Sequence, residues 1–314
     1  MSINHTILMI TYNQEEYVSS ALDCLFRQGV YPFEVIISDD CSTDKTQEII
    51  LEYQKRYPNI IKPIFQKKNL GIYQNLNYIL NSTKVEGDIV SFLSGDDIFK
   101  DNMLVTFNEY VANHNLNPLT ESFLLITNTL NLTPSGKEVE QFNNFKSKGK
   151  NYTKLRVRNK IGNRYTGISK ALFKTMEPWN LELGLWADAL HSFDMYMNCK
   201  NFYFINKSFP VYRLGSGVTS TNDRFLLGES WVKTANYMLT NRSKYLDKRD
   251  VIHIKKSIQK SRLELNNTLS NRLLFIKFYF LSFGDVLDGS LSFKQYLIEI
   301  YVLVPMKIKR ILRK

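Results

Sequence analysis

The chain has 314 residues, of which 44% are hydrophobic, a fraction that is ordinary for a globular protein of one large domain or two small ones. Its three cysteines show no paired spacing, which argues against a disulfide framework or a structural zinc site and favours a reducing compartment. Its net charge is +11, and no uncharged apolar run reaches the length of a membrane span.

The positive charge is concentrated in the last quarter of the chain. Residues 241–314 contain 16 basic and 6 acidic residues, whereas residues 1–240 contain 25 and 24. The uneven charge therefore indicates that the C-terminal quarter has a function of its own. Because the first residues lead straight into an apolar run with no basic segment before it, we expect no signal peptide and a cytoplasmic protein.

Strands and helices are predicted to alternate through the first 130 residues. Apolar runs rich in β-forming residues predict strands at 6–10, 33–37, 60–65, 89–93 and 122–130. Between them, segments with one apolar face predict helices, the first capped by Asn13 with Glu16 at a capping-box spacing and ended by Gly29. Pro63 indicates an edge position for the third strand. This alternation predicts a parallel sheet with helices on both faces.

Polar residues follow three of these strands, at 11–13 (TYN), 38–40 (SDD) and 95–97 (GDD). In parallel sheets ligands bind beyond the carboxyl ends of the strands, so we expect the three clusters to converge. Asp96 and Asp97 are adjacent carboxylates, which are costly to crowd without a cation. Mg²⁺ is typically held by one or two carboxylates plus substrate phosphates, so the pair is a candidate metal site.

The second half of the chain is less regular. Residues 131–160 are polar and predict a long loop, either a mobile lid or a passive surface loop. Beyond it we predict a strand at 167–173, a helix at 183–199, a strand at 201–206, and a strand with a Gly/Ser loop at 209–220.

From residue 221 the chain becomes helical, basic and aromatic-rich, which predicts a domain boundary between 1–220 and 221–314. Interleaved apolar and basic residues are typical of a helix lying on an anionic membrane, here the inner face of the plasma membrane. Ordinary amphipathic helices that pack on the catalytic domain are the alternative. Nucleic acid is not expected as a partner, because the aromatic residues form apolar clusters rather than isolated stacking platforms.

These motifs together resemble a family 2 glycosyltransferase of the GT-A fold. The resemblance rests on ITYNQEEYVSSALDCLFRQ, FEVIISDDCSTDKTQEII, NLG with Asn75, and GDD; it covers residues 5–112 closely and 161–220 more loosely. It implies an α/β fold with a mixed, mainly parallel nucleotide-binding sheet flanked by helices, followed here by a C-terminal helical extension. It also implies inverting, metal-dependent transfer of a hexosyl group from a nucleotide-sugar to a saccharide hydroxyl in cell-envelope polysaccharide synthesis. If the tail lies on a membrane, the acceptor is lipid-linked.

The resemblance also implies roles for individual residues. Those that would contact or shape the nucleotide-sugar site are Thr11, Tyr12, Asn13, Glu16, Asp39, Asn69, Gly71, Asn75, Asp96 and Arg213. Asp39 would bind the base or ribose, while its neighbour Asp40 would only hold the loop. Asp97 would be the direct ligand of Mg²⁺ or Mn²⁺, and Arg213 would offset phosphate charge.

An inverting enzyme also needs a carboxylate base for the acceptor hydroxyl. The family supplies it near the start of a helix after the second sheet segment, but the usual Glu-Asp pair is absent here. Asp188 and Asp194 are the candidates, and we favour Asp188 because it lies at the helix start. His191, one turn later, is a candidate partner for Asp188.

Two other functions remain as alternatives. A sugar nucleotidyltransferase shares a similar sheet but needs a Gly-rich phosphate loop after the first strand, and TYNQEEY has no glycine. A non-catalytic scaffold that binds nucleotide-sugars would explain the unusual base region. A dinucleotide dehydrogenase is poorly supported, because no GxGxxG follows any predicted strand.

Overall fold

The computed structural model describes residues 3–141, 167–216, 224–266 and 268–281. These residues form two compact units. The first contains 3–141, 167–181 and 194–216, and the second contains 182–193, 224–266 and 268–281. The predicted domain boundary at 220/221 lies outside the described residues and stays a prediction.

The first unit is built on a mixed sheet. Its strands are β1 (His5–Thr11), β2 (Glu34–Asp39), β3 (Ile61–Phe65), β4 (Ile89–Ser94), β5 (Ile98–Phe99), β6 (Phe123–Leu132), β7 (Glu138–Gln141), β8 (Gly167–Ser169) and β9 (Asn201–Arg213). Across the described part of the chain their order is β3-β2-β1-β4-β8-β6-β9-β5, with β7 added on β6. The first four strands are parallel, and β8 is antiparallel to its neighbours β4 and β6. The predicted mixed, mainly parallel sheet is confirmed, as is the edge position of Pro63 in β3.

Helices cover this sheet. They are α1 (Val18–Leu25), α2 (Thr46–Arg56), α3 (Ile72–Ser82), α4 (Met103–Asn113) and α5 (Lys170–Phe173), while α6 (Ala187–Asn198) contributes residues to both units. Helix α1 buries Val18, Leu22 and Leu25, which share one helical face. Strands β1 and β2 are buried on both faces, as parallel strands between helix layers are. This burial explains the apolar runs ILMI in β1 and VII in β2.

Helix α1 begins later than its sequence predicts. Its N-cap is Tyr17, and no side chain caps it. The Asn13 side chain instead accepts a 2.8 Å hydrogen bond from the backbone N–H of Thr43, and Asn13 has a positive φ of 49°. The capping box predicted for Asn13 and Glu16 is therefore wrong, because a loop thirty residues later competes successfully for the capping side chain.

Three predictions in the second half also need correction. Residues 167–173 are not one strand: β8 is followed by α5, whose first turn is capped by the Ser169 side chain. The two strands predicted at 201–206 and 209–213 are the single strand β9, whose pairing with β6 is shifted by bulges. Residues 131–141 form the end of β6, a tight turn and β7 rather than a loop. The remainder of the predicted lid, 142–160, lies outside the described residues.

The second unit is helical. It contains most of a 3₁₀ segment (Leu181–Trp186), the start of α6, and then α7 (Arg224–Asn241), a short 3₁₀ turn (Ser243–Tyr245), α8 (Lys248–Leu265) and α9 (Leu269–Leu281). Helix α8 starts in a capping box formed by Asp247 and Asp250. Helix α8 packs against both α7 and α9. None of the described helices is long and apolar enough to cross a membrane. The basic segment 282–314 lies outside the described residues.

One buried histidine makes the stability of the first unit depend on pH. His5 is 1% exposed, its Nε2 donates a 2.6 Å hydrogen bond to Asn108 Oδ1, and its Nδ1 has no partner among the described residues. Burial lowers the pKa of His5 from 6.5 to about 4, because a second proton would leave a charge in the core.

The unfolded chain therefore binds this proton more tightly than the folded protein. The stability contributed by neutral His5 is complete above pH 6.5 and is lost as the pH falls towards about 4. We expect the free energy of unfolding to fall by about 3 kcal/mol across this pH window because of His5. His5→Gln keeps a donor for Asn108 without titrating, so denaturant titrations should show a flatter pH dependence in this window. Equal slopes for both proteins would contradict the assignment.

Candidate functional site

The three polar clusters do converge at one edge of the sheet. Strand β1 lies between β2 and β4, with Thr11 in register with Asp39 and Ile10 in register with Ser94. Gly95 N–H donates to the carbonyl of Ile10 at 3.0 Å. Because β2, β1 and β4 are neighbouring parallel strands, their carboxyl ends place residues 11–13, 38–40 and 95–97 together.

The turn after β4 lies so close to the loop after β1 that position 95 requires glycine. A Cβ at Gly95 would lie 2.2 Å from Gln14 Oε1 and 2.7 Å from Thr11 Cγ2. The turn after β4 therefore packs directly against the loop after β1, with no room for a side chain. The glycine of the GDD motif sets the position of the two aspartates that follow it.

Asp39 lies within the site as a fully buried carboxylate. Its oxygens accept hydrogen bonds from Thr11 Oγ1 at 2.8 Å, from Gln47 Nε2 at 2.6 Å, and from the backbone N–H and hydroxyl of Ser42 at 2.9 and 2.5 Å. A carboxylate offers about four acceptor positions. In this structure Asp39 connects β1, the following loop and α2.

Asp40 holds a second loop. It accepts the backbone N–H of Leu70 at 2.7 Å and that of Gly71 at 2.8 Å. Asn69 Oδ1 also accepts from Gly71 N–H, at 3.1 Å, and Gly71 has a φ of 82°, which favours glycine. The Asn69–Gly71 loop is thus tied to the end of β2.

Asn75 is buried beneath this loop. Its Oδ1 accepts from the Ser38 hydroxyl at 2.6 Å, and its Nδ2 donates to the Ser38 carbonyl at 3.1 Å. Asn75 is 1% exposed, so its side chain ties α3 to the end of β2 and presents no open surface.

The loop after β1 interlocks with the loop after β2. Asn13 N–H donates to Ser42 Oγ at 2.8 Å, Glu15 N–H donates to Asp44 at 3.0 Å, and Glu15 accepts from Lys45 N–H at 2.9 Å. These bonds leave the side chains of Tyr12 and Glu16 exposed, with Tyr12 at 46%. An exposed aromatic ring on a loop held this firmly is available to a ligand.

The acidic pair lies against the end of β9. Asp97 Oδ1 accepts the backbone N–H of Arg213 at 2.9 Å, and Arg213 Nε donates to the carbonyl of Asp96 at 3.0 Å. The Arg213 guanidinium also lies 4.8 Å from the centre of the Tyr17 ring, within cation–π range. Arg213 is thus brought to the acidic pair, because β5, just after Asp97, pairs with β9.

Ser216 belongs to this site, although its role was not predicted from the sequence. Its hydroxyl donates to Asp96 Oδ2 at 2.9 Å, and Asp96 is only 4% exposed. The Gly/Ser-rich composition after β9 was the available signal, but composition does not identify which hydroxyl reaches the carboxylate. Residues 217–220 of that loop lie outside the described residues.

The donor set at Asp96 and Asp97 fits a divalent cation that is shared with a substrate. The described residues contain no cluster of three or more acidic, histidine or cysteine ligands. Mg²⁺ commonly takes only one or two carboxylates from the protein and completes its shell with phosphates and water. Asp97 is partly exposed and Asp96 is buried, so Asp97 is the more accessible of the two.

The predicted base lies in the second unit. Asp188 occupies the first turn of α6 and is partly buried, while His191 is 6% exposed. Trp186, two residues before Asp188, is held by two hydrogen bonds: its backbone N–H donates to Ser230 Oγ at 3.0 Å, and its indole N–H donates to the Leu227 carbonyl at 2.9 Å. Asp194, the alternative, belongs to the first unit.

Comparison with known proteins identifies the family. The family model described as Glycosyl transferase family 2 matches residues 6–174, more than half of the chain. Poly(ribitol-phosphate) beta-N-acetylglucosaminyltransferase TarS of Staphylococcus aureus is 30% identical over 112 residues, which are 35% of this chain and 19% of TarS. Proteins of Mycobacterium tuberculosis and Mycobacterium bovis are 42% identical over 97 residues, so the chain covers only 28% of their length.

Solved structures share the fold. S. aureus TarS 1–349 in complex with UDP-GlcNAc matches with a TM-score of 0.60 at 19% identity, over 96% of this chain and 87% of that one. Mannosyltransferase PcManGT from Pyrobaculum calidifontis, in complex with GDP-Man and Mn²⁺, matches with a TM-score of 0.52 at 15% identity, with the same coverages of 96% and 87%. The predicted GT-A type fold is confirmed, and the chain belongs to glycosyltransferase family 2.

Proposed function

We propose that this chain is an inverting, metal-dependent glycosyltransferase that moves a hexosyl group from a nucleotide-sugar to a hydroxyl of a saccharide acceptor. The observation that carries the proposal is the acidic pair Asp96–Asp97, which adjoins Arg213 at the edge where three polar strand ends meet. Carboxylates, a guanidinium and exposed loop side chains together suit a diphosphate with a nucleoside on one side.

In this proposal the nucleotide contacts are divided between two groups of residues. Tyr12, Asn13 and Glu16 face the nucleotide, because these residues are exposed and their loop is bonded to the loop after β2. Thr11, Asp39 and Asn75 act indirectly, through buried hydrogen bonds that join the ends of β1 and β2 to each other and to α3. Asn69 and Gly71 shape the loop beside the nucleotide. This division moves Asp39 from direct contact with the base or ribose to a positioning role.

The leaving group determines what the acidic pair must do. Cleavage of the sugar–phosphate bond leaves a nucleoside diphosphate with additional negative charge. A Mg²⁺ or Mn²⁺ ion held by Asp97 would neutralise that charge. Asp96 faces the ribose or sugar, and the Arg213 guanidinium supplies a further positive charge beside the phosphates.

Asp188 is proposed as the base that removes the proton of the acceptor hydroxyl. Direct displacement with inversion needs one such base. Its place in the first turn of α6 supports the assignment, and His191 would act as its partner. Asp194 is the alternative base.

The relatives suggest where to look for substrates. The structures with UDP-GlcNAc and GDP-Man make UDP-sugars and GDP-sugars the first donors to test. The name of TarS supports an acceptor from the cell envelope. We propose a lipid-linked saccharide acceptor at the inner face of the plasma membrane, with the protein peripheral on that surface.

Titration calorimetry with UDP, GDP and dTDP, each with and without Mn²⁺, tests the donor site. We expect one diphosphate to bind and Mn²⁺ to tighten its binding. Pyrophosphate release from a nucleoside triphosphate plus a sugar phosphate would instead favour the nucleotidyltransferase. Binding of a nucleotide-sugar without turnover on any acceptor would favour the scaffold.

A further inference from the structure

Helix α9 presents an exposed apolar stripe. Leu273 is 58% exposed and Phe280 is 67% exposed, and both lie on one face because they are seven residues apart. The opposite face is buried at Phe275 and Tyr279, which are 1% and 3% exposed. The outer face is therefore apolar although the helix is already packed on its inner side.

Basic side chains accompany this stripe. Lys277 is exposed and lies on the same face, four residues after Leu273 and three before Phe280. On α8, the exposed residues Lys248, Lys255 and Arg262 recur every seven residues and so form a second stripe. Helix α9 contains no acidic residue.

The basic stripe of α8 lies beside α9. The Nζ atoms of Lys255 and Lys277 each lie 6.0 Å from the centre of the Phe278 ring, so the basic stripe of α8 borders α9. The exposed acidic residue of α8, Glu264, lies two positions beyond Arg262 and hence on another face. The resulting surface combines exposed leucine and phenylalanine side chains with the exposed basic side chains of the two helices.

We propose that two helix faces dock on the surface of an anionic lipid bilayer. They are the face of α9 with Leu273, Lys277 and Phe280, and the face of α8 with Lys248, Lys255 and Arg262. Leucine and phenylalanine insert at the acyl boundary while flanking lysines and arginines meet anionic headgroups, which is the arrangement of helices that lie in a membrane interface. A soluble anionic polymer would bind the basic side chains but would make no favourable contact with exposed Leu273 and Phe280. The charge is complementary and the apolar residues select the bilayer.

Docking would bring the enzyme to a lipid-linked acceptor, and only this consequence rests on the proposed function. Docking itself needs no turnover. Failure to bind vesicles would leave the transfer reaction standing, and an inactive protein could still dock.

Vesicle flotation of the full chain tests the surface. We expect the protein to float with phosphatidylcholine–phosphatidylglycerol vesicles at about 0.05 M salt, not with pure phosphatidylcholine, and to be released at about 0.5 M salt. Lys255→Glu with Lys277→Glu should lower the partition coefficient at least about tenfold. Lys55→Glu with Lys200→Glu, which reverses two exposed charges of the first unit, should leave it unchanged.

A third variant separates the bilayer from a soluble polyanion. Leu273→Ser with Phe280→Ser should lose vesicle binding several-fold but leave any binding to soluble polyphosphate unchanged. Wild-type protein that does not float with anionic vesicles at low salt would overturn the proposal, whether or not it binds polyphosphate. Equal loss in the first-unit control, or no loss in the Leu273 and Phe280 variant, would also overturn it.

Discussion

Asp97→Asn should lower kcat/KM for sugar transfer by about 100- to 1,000-fold, the loss expected when a charged contact to the leaving group is removed. Asparagine keeps the size of the side chain and an oxygen that can accept the Arg213 N–H, which is 2.9 Å away in the wild-type protein. The substitution therefore removes the charge while the contact with β9 is kept. Steady-state kinetics with a saturating divalent metal would measure the loss.

The matched control is Asp101→Asn, four residues later. Asp101 forms a surface ion pair with Arg27 at 3.2 Å, and both side chains are more than half exposed. Such pairs contribute little, so activity should stay within about twofold of wild type. If Asp97→Asn lost no more activity than this control, the acidic pair would not be the metal site.

Asp188→Asn should reduce kcat by about 100- to 10,000-fold, the usual contribution of a general base. Asparagine cannot take the acceptor proton. The donor does not need this base to bind, so the KM for the nucleotide-sugar should stay close to the wild-type value. This separation of kcat from KM distinguishes a base from a residue that only supports the fold, whose loss would also lower the melting temperature.

Asp194→Asn is the comparison for the base. Asp194 lies six residues further along α6 and is also partly buried. Its substitution should leave most of the activity. If Asp194→Asn were inactive and Asp188→Asn active, the two assignments would be exchanged.

The first four strands and their helices could be predicted because their signals are local. Strands β1 and β2 are buried on both faces and contain apolar runs, and polar residues mark their ends. Convergence of the three strand ends then follows from parallel topology alone. For this reason the sequence correctly predicts that the GDD motif lies at the carboxyl edge of the sheet.

The contacts that could not be predicted join residues far apart in the sequence. The Asn13 side chain accepts from the backbone N–H of Thr43, thirty residues later, instead of capping α1. The hydrogen bonds to the Asp39 carboxylate come from β1, the loop after β2 and α2. Ser216 reaches Asp96 across 120 residues. Side-chain types and spacing do not encode such contacts.

Release of nucleoside diphosphate by the wild-type protein is the decisive test of metal-dependent glycosyl transfer. Purified protein is given UDP-, GDP- and dTDP-sugars with Mn²⁺, and the diphosphate is measured before and after addition of a chelator. We predict that one donor class releases diphosphate, that chelation stops the release, and that Asp97→Asn is nearly silent under the same conditions. A folded protein that releases no diphosphate from any of these donors would rule out glycosyl transfer from them. Equal release without metal and by the Asp97→Asn variant would rule out Asp97 as a metal ligand.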